Sequence, residues 1–415
     1  MSNLAILGGE PIKKTPFPAW PQYDESERQA LMEVLESRIW WRTPGTKTLQ
    51  FEREFAAYHQ AKHGIAVTNG TAALEVVMAA LGIYPGDEVI VPALTFAATA
   101  NVVRHVGARP VFADIISVAE PTLDPYDAAG RLTSRTRAIM PVHYAGFACR
   151  MAPIQRLAQE RFGPPVAIIE DAAHALGGRG EGNRPLGTIG DAGAFSFFSN
   201  KNLVTGEGGA VAATDPKLAE RIRSLRSHGL TSQTWTRHSG GGSGYDVLAP
   251  GLNYRPTEIT AALGLAQLAK FDAMQARRRR LHELYCEGFR PCEDVLIPFT
   301  PEGACDPAAI AQNASAQTTQ SAYHIFPILL PGERVRDYVA GELRRRGIQT
   351  SHHYGPLHTM TAYRDGAGRL PKCEEFAARE LTLPLHPKMS DNDVFVVVDA
   401  VIDSLKSQCV RERLS

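Results

Sequence analysis

The stretch Gly190-Asp-Ala-Gly-Ala-Phe-Ser-Phe-Phe-Ser-Asn-Lys201-Asn-Leu-Val-Thr-Gly-Glu-Gly-Gly209 puts a lysine inside an apolar, strand-like run and directly before a glycine-rich turn. A lysine in a partly desolvated pocket loses part of its preference for the ammonium form, and its amine becomes a nucleophile toward a carbonyl carbon. Schiff-base chemistry uses such an amine. A lysine whose stem lies along a strand end while its head reaches water gives the same pattern, so Lys201 acquires a role only from its surroundings.

Upstream, Val166-Ala-Ile-Ile-Glu-Asp171 reads as a buried strand ending in two acids. A carboxylate there is costly unless it meets a cation or strong donors. A protonated ring nitrogen of a cofactor supplies such a cation, and a helix-capping role for Asp171 is the alternative. Glu170 projects to the opposite face and reads as structural. Glu88-Val-Ile-Val-Pro92, Pro110-Val-Phe-Ala-Asp114 and Thr136-Arg-Ala-Ile-Met-Pro-Val-His143 repeat the apolar strand pattern, with helices expected over Ala97–Gly107 and Ile154–Phe162. Strands alternating with helices imply a mostly parallel sheet with ligands at the carboxyl ends of the strands.

Near the start, Gly64-Ile-Ala-Val-Thr-Asn-Gly-Thr-Ala-Ala-Leu-Glu-Val-Val-Met78 reads as a strand, a turn at Asn69-Gly70, and a helix whose first turn holds Thr71 and Ala72. Free N–H groups and the positive dipole end make that turn an anion site; Thr71 as a plain N-cap is the other reading. Two further helices are expected over Ser26–Leu35 and Leu49–Tyr58, and another over Thr257–Phe271. Beyond it, strands are expected at Ala322–Leu330 and Gly347–Thr350.

The 415 residues are enough for two domains, and 44 basic side chains balance 44 acidic ones. No global field therefore recruits nucleic acid or an anionic membrane. The N-terminus has no signal-peptide pattern and no segment spans a bilayer, and the six cysteines lack metal-ligand spacing. A soluble, cytoplasmic protein is expected. The three histidines of Ser351-His-His-Tyr-Gly-Pro-Leu-His358 have no carboxylate or cysteine at metal-site spacing, so no metal is assigned and the segment reads as the rim of a cleft.

Asn69-Gly-Thr-Ala-Ala-Leu74, Pro92-Ala-Leu-Thr-Phe-Ala-Ala-Thr99, Glu170-Asp-Ala-Ala-His174, Phe195-Ser-Phe-Phe-Ser-Asn-Lys201, Gly206-Glu-Gly-Gly209, Asn253-Tyr-Arg255 and Tyr354-Gly-Pro-Leu-His358 together resemble the DegT/DnrJ/EryC1/StrS family of pyridoxal-phosphate (PLP) dependent sugar aminotransferases. The resemblance runs in order over nearly the whole chain. It implies an α/β, fold-type-I architecture like that of aspartate aminotransferase. An N-terminal arm and large PLP-binding domain would span residues 1–255, and a connecting helix with a small C-terminal α/β domain residues 256–415. It also implies a homodimer with shared active sites.

By the same resemblance, Lys201 is the catalytic lysine that bonds the cofactor and carries the proton. Asp171 pairs with the ring nitrogen, Phe96 stacks on the ring, and His174 lies beside it. Gly70, Thr71, Ala72 and Ser196 hold the phosphate with Asn253 of the neighbouring subunit. Arg237, Arg255, Tyr354 and His358 are candidate substrate residues, guanidinium suiting planar anions. The donor is glutamate or glutamine and the acceptor a nucleotide-linked keto sugar; a keto-cyclitol of the inosose type is the alternative acceptor. A lysine at position 201, where some dehydrating relatives carry histidine, favours transamination. A non-catalytic PLP-binding regulatory protein of the same fold is the other class. The chain departs from the family pattern at Trp40-Trp41 and at Arg150, where an acidic residue is expected before Met151.

Overall fold

The structure is a computed structural model that describes residues 17–159, 165–231, 244–300, 319–364 and 368–407. In chain order its elements begin with α1 (Glu25–Ser37), α2 (Lys47–Tyr58), β1 (His63–Val67), α3 (Gly70–Leu81), β2 (Glu88–Pro92), α4 (Ala97–His105) and β3 (Arg109–Ala113). There follow α5 (Pro125–Gly130), β4 (Thr136–Ile139), α6 (Met151–Gln159), β5 (Ala167–Asp171), β6 (Ala192–Ser196), β7 (Gly209–Ala213) and α7 (Pro216–Leu225). The remainder is α8 (Glu258–Ala269), α9 (Phe271–Phe289), β8 (Phe326–Leu329), α10 (Glu333–Arg345), α11 (Pro371–Arg379), β9 (Glu380–Leu383) and α12 (Asp391–Lys406).

Seven strands form one sheet in the order β1-β7-β6-β5-β4-β2-β3. All run in one direction except β7, which is antiparallel to both neighbours. Because side chains alternate across a strand, the two faces feed two cores. Val89 and Val91 join Leu74, Val77, Val103 and Ile222 of α3, α4 and α7 on one face. Ile90, Ile168 and Phe195 join Phe51, Phe55, Ile154 and Leu268 of α2, α6 and α8 on the other. A third core gathers Leu281, Tyr285, Phe326, Val339, Val397 and Val401 around the β8/β9 pair. The mostly parallel α/β architecture expected from the sequence is the one the chain forms.

Some boundaries differ from the sequence expectation. The strand of the lysine stretch stops at Ser196, so Lys201 lies in the loop joining β6 to β7. The glycine-rich turn is followed by a strand, β7, that the sequence reading does not contain. Gly347–Thr350 forms no strand: β8 pairs with β9 instead, and only Ser351 bridges Thr382. Within Ala322–Leu330 only Phe326–Leu329 is a strand, Tyr323 having a left-handed φ of 48°. The far end of the expected Ile154–Phe162 helix lies outside the described residues. Among the described residues no helix is long and apolar enough to cross a membrane.

Candidate active site

The carboxyl ends of the strands open into a cleft of about 740 Å³ lined by Gly70, Thr71, Ala72, Phe96, Asp171, His174, Ser196, Lys201 and Tyr354 among others. Its floor begins with α3. Asn69, not Thr71, is the N-cap, its Oδ1 accepting from the Ala72 N–H at 2.8 Å. The N–H groups of Gly70 and Thr71, in the first turn, have no intrahelical acceptor and mark the positive dipole end. Ser196 closes the cradle from β6. A Cβ on Gly70 would come within 2.7 Å of the Ser196 Cβ, so the approach of helix to strand end requires glycine.

Asp171 ends β5 and is 6% exposed. Thr99 Oγ1 donates to its Oδ2 at 2.7 Å, and the Ala173 N–H donates to Oδ1 at 3.2 Å. Because Thr99 spends its proton there, the 2.7 Å contact between Thr95 and Thr99 is donated by Thr95. Burial pushes the Asp171 carboxyl up, while the Thr99 hydroxyl, the Ala173 amide and the Lys201 ammonium pull it down. Glu170 faces the other way. It is buried and accepts from the Gly187, Ile189 and Gly190 N–H groups, with His143 Nε2 at 2.8 Å. The backbone amide of Cys149 donates to His143 Nδ1, so that imidazole carries its proton on Nε2 and gives it to Glu170.

Lys201 is held by its loop. Phe197 N–H donates to the Gly208 carbonyl, Thr205 N–H to the Phe197 carbonyl and Lys201 N–H to the Phe198 carbonyl. Burial lowers the amine to about 8, with the Asp171 carboxylate opposing the shift. About one amine in ten is then neutral at pH 7. Phe96, at the head of α4, lines the cleft and is 61% exposed, and its ring centroid lies 5.9 Å from that of Tyr354. The Tyr354 hydroxyl is 3.0 Å from His174 Nε2, and burial keeps His174 neutral, well below the usual histidine range. The Nδ1 of His174 is buried without a hydrogen-bond partner.

Other sequence candidates stand apart. Asn253 is exposed and does not line this cleft; its backbone bridges Ser227. Arg255 donates to Ser227 Oγ at 3.1 Å and lines a second, larger cleft of about 1100 Å³ together with Trp41, Arg42 and Arg223. His358 is 4% exposed, with its Nε2 3.1 Å from Glu374 Oε1, and does not line the cleft. Arg237 lies outside the described residues. Arg150 pairs with Glu120.

Thr95, Thr99, Glu75, Tyr254 and His353 are cleft or supporting residues that sequence reasoning did not single out. Glu75 stands four residues beyond Thr71 on one helix face and accepts from the Tyr254 hydroxyl at 3.0 Å. Thr99 stands three residues beyond Phe96. Those two helical spacings are the signals that point to them.

A flat, anionic, carbonyl-bearing cofactor fits the residues present. The glycine-shaped cradle suits a phosphate, the open Phe96 ring suits an aromatic face, Asp171 suits a protonated ring nitrogen, and the lowered Lys201 amine suits the carbonyl. A profile of the DegT/DnrJ/EryC1/StrS aminotransferase family matches residues 21–402. The spore coat polysaccharide biosynthesis protein SpsC of Bacillus subtilis is 39% identical over 398 residues, covering 93% of this chain and 96% of that protein. Spr1654 from Streptococcus pneumoniae in its PLP form superposes with a TM-score of 0.83 at 29% identity, covering 97% of this chain and 99% of that one. Helicobacter pylori PseC, an aminotransferase involved in the biosynthesis of pseudoaminic acid, superposes with a TM-score of 0.81 at 26% identity, covering 94% and 99%. With cradle, lysine and aspartate arranged as above, the chain belongs to the DegT/DnrJ/EryC1/StrS aminotransferase family and is a PLP-dependent aminotransferase of fold type I.

Proposed function

We propose that this aminotransferase moves an amino group from glutamate or glutamine to a keto group on a nucleotide-linked sugar, in amino-sugar biosynthesis. The observation that carries the reading is the Lys201 amine, lowered to about 8, in a cleft it shares with Asp171 and the α3 cradle. SpsC and PseC, named for polysaccharide and pseudoaminic acid biosynthesis, support a sugar acceptor.

Bound PLP supplies an electrophilic carbonyl and an electron-withdrawing ring. Gly70 and Thr71 bind the phosphate through N–H groups, with Ser196 beside them. Asp171, oriented by Thr99 and Ala173, keeps the proton on the ring nitrogen. Phe96 covers a face of the ring and excludes water. Lys201 Nζ would take the proton from the substrate carbon and deliver it to the cofactor carbon that had carried the carbonyl, and would carry it the other way in the second half-reaction. Two half-reactions in turn give ping-pong kinetics.

The same reading makes the protein a cytoplasmic homodimer in which Asn253, exposed on its own subunit, completes the partner's cradle. Cys149, Cys292 and Cys373 are free thiols, which agrees with a reducing compartment. It also divides the chain into a large domain of residues 1–255 and a small one of residues 256–415. The third core, drawn from residues between Leu281 and Leu405, supports a separate C-terminal unit.

The test is the absorbance spectrum of the protein with PLP, before and after glutamate or glutamine, beside Lys201→Ala. A band that needs Lys201 and is converted by the donor establishes the first half-reaction, and keto sugars are screened next. A lysine-dependent band that no amino donor changes would sink the transaminase role in favour of a cofactor-binding regulator.

A further inference from the structure

The residue after the catalytic lysine is buried and has work outside its own loop. Asn202 is 3% exposed. Among the described residues it is the one in the Phe197–Gly208 loop whose side chain hydrogen-bonds elements beyond the loop, while Phe197 packs on Phe51 and Phe55, and Ser199 and Thr205 bond within the loop. Its Nδ2 donates to the Ala322 carbonyl at 2.6 Å and to Gln275 Oε1 at 3.1 Å, and its Oδ1 lies 2.9 Å from His324 Nδ1.

These contacts fix more than position. A carbonyl only accepts, so the amide nitrogen of Asn202 must face Ala322 and its oxygen must face His324. His324 therefore carries its proton on Nδ1. Burial keeps that imidazole neutral, with the neighbouring His174, Lys201, Arg278 and His353 acting in the same direction. The His324 ring in turn lies against His174, centroids 4.2 Å apart and planes tilted by 41°. His174 bonds Tyr354 at the cleft. Gln275, the other partner of Asn202, also donates to the carbonyls of Ala322 and of Leu176, two residues beyond His174.

We propose that Asn202 is a positioning residue of the aminotransferase: its amide fixes the turn that presents the Lys201 amine and, through His324, the surface on which His174 is held. The amine sits in an irregular loop whose other hydrogen bonds, among the described residues, reach neither α9 nor the Ala322–His324 segment. Without Asn202 the loop keeps its backbone closure but loses its register against α9 and the Ala322–His324 segment. A displacement of about an ångström in a reacting group is enough to cost roughly a hundredfold in rate. This proposal rests on Lys201 as the catalytic lysine.

The experiment compares Asn202→Ala, His324→Leu and His324→Gln with the wild-type holoenzyme. It reads the pH midpoint of the lysine-dependent absorbance band, kcat and KM of the donor half-reaction, and the melting temperature without cofactor. Asn202→Ala is expected to lower kcat about tenfold or more with KM within about twofold, and to move the spectroscopic midpoint by about half a unit. His324→Leu should follow it, whereas His324→Gln, which keeps an N–H toward Asn202 Oδ1, should stay near wild type. If the melting temperature falls while midpoint and kcat per folded molecule do not move, Asn202 is only structural and the proposal is overturned. Equal behaviour of His324→Leu and His324→Gln overturns it as well, and that comparison stands if Asn202→Ala does not fold. A wild-type protein without a lysine-dependent band removes Lys201 and this proposal together.

Discussion

At Asp171 and Lys201 the structure sets two charged groups in one poorly hydrated cleft, and their opposite demands can be separated. Asp171 owes its raised carboxyl mainly to burial, which the Thr99 hydroxyl, the Ala173 amide and the Lys201 ammonium offset only in part, so its charge costs stability. In Asp171→Asn the Thr99 hydroxyl can reverse its rotor, accept from the new amide and donate to Thr95. We expect the cofactor-free variant to melt no lower than wild type while kcat falls by about 10²–10³. A matched loss of melting temperature and kcat would contradict that division.

Lys201 gives the opposite sign with pH. Its amine is lowered from 10.5 to about 8 in the folded chain, so between those values the unfolded chain holds more protons and stability rises with pH. Urea denaturation of cofactor-free wild type against Lys201→Met should show a constant difference below about pH 8. The difference should shift in favour of wild type as pH climbs toward about 10. A difference that stays flat over that span would mean the amine is not desolvated. Both residues were legible from sequence because each is an ionisable group at the end of an apolar run. Thr99 and Asn202 were not, since a hydroxyl or amide acquires meaning only from the partner that folding brings to it.

Among elements, α3 shows how a helix becomes a binding device. Asn69 takes one orphan N–H and leaves two for a ligand, and Gly70 lets the helix end approach β6. Gly70→Ala would push a methyl group to within 2.7 Å of the Ser196 Cβ, and overpacking of that kind costs about 1–3 kcal/mol. The strain should appear chiefly as weaker PLP binding, about tenfold or more by absorbance titration, with the far-UV spectrum unchanged. Unaltered PLP affinity would show that the cradle is not where the phosphate is held. The strand-turn-helix unit was readable because the period changes from two to 3.6 across Asn69-Gly70. β7 was not, because Gly209-Ala-Val-Ala-Ala213 offers mostly small side chains, with Val211 its one β-branched residue and no aromatic to mark a strand. Its hydrogen bonds to β1 and β6 make it one.

On the scale of the whole molecule, Asn253, expected to reach the cradle of the neighbouring subunit, does not line the cleft of its own. Asn253 is exposed, its backbone bridges Ser227, and the next residue, Tyr254, is anchored to Glu75 of the cradle helix. If Asn253 serves a partner, Lys201→Ala and Asn253→Ala subunits mixed and reassembled should regain activity. Each mixed dimer then contains one site with both wild-type residues. Activity no greater than the sum of the two parents would place Asn253 in its own subunit's site or in none. The mostly parallel α/β sheet was foreseeable from the strand-helix alternation. That distant segments share one core was not, since Leu357, whose N–H donates to the Ala93 carbonyl, belongs to the same core as Ala93 although more than two hundred positions separate them.

The pairing of β1 with β7 has a consequence in time. His63 is hydrogen-bonded in register opposite Ala213, so the first strand to be synthesised waits for one made 150 residues later. At roughly 5–20 residues per second a ribosome needs about 8–30 s to deliver it. Through that interval the nascent chain carries an apolar strand with a bare edge, and the helix that follows it has no β6 to lean on. Affinity for the cofactor therefore arrives late and all at once, and a chaperone that shields residues 63–67 during synthesis would protect the very segment on which the phosphate cradle is later built.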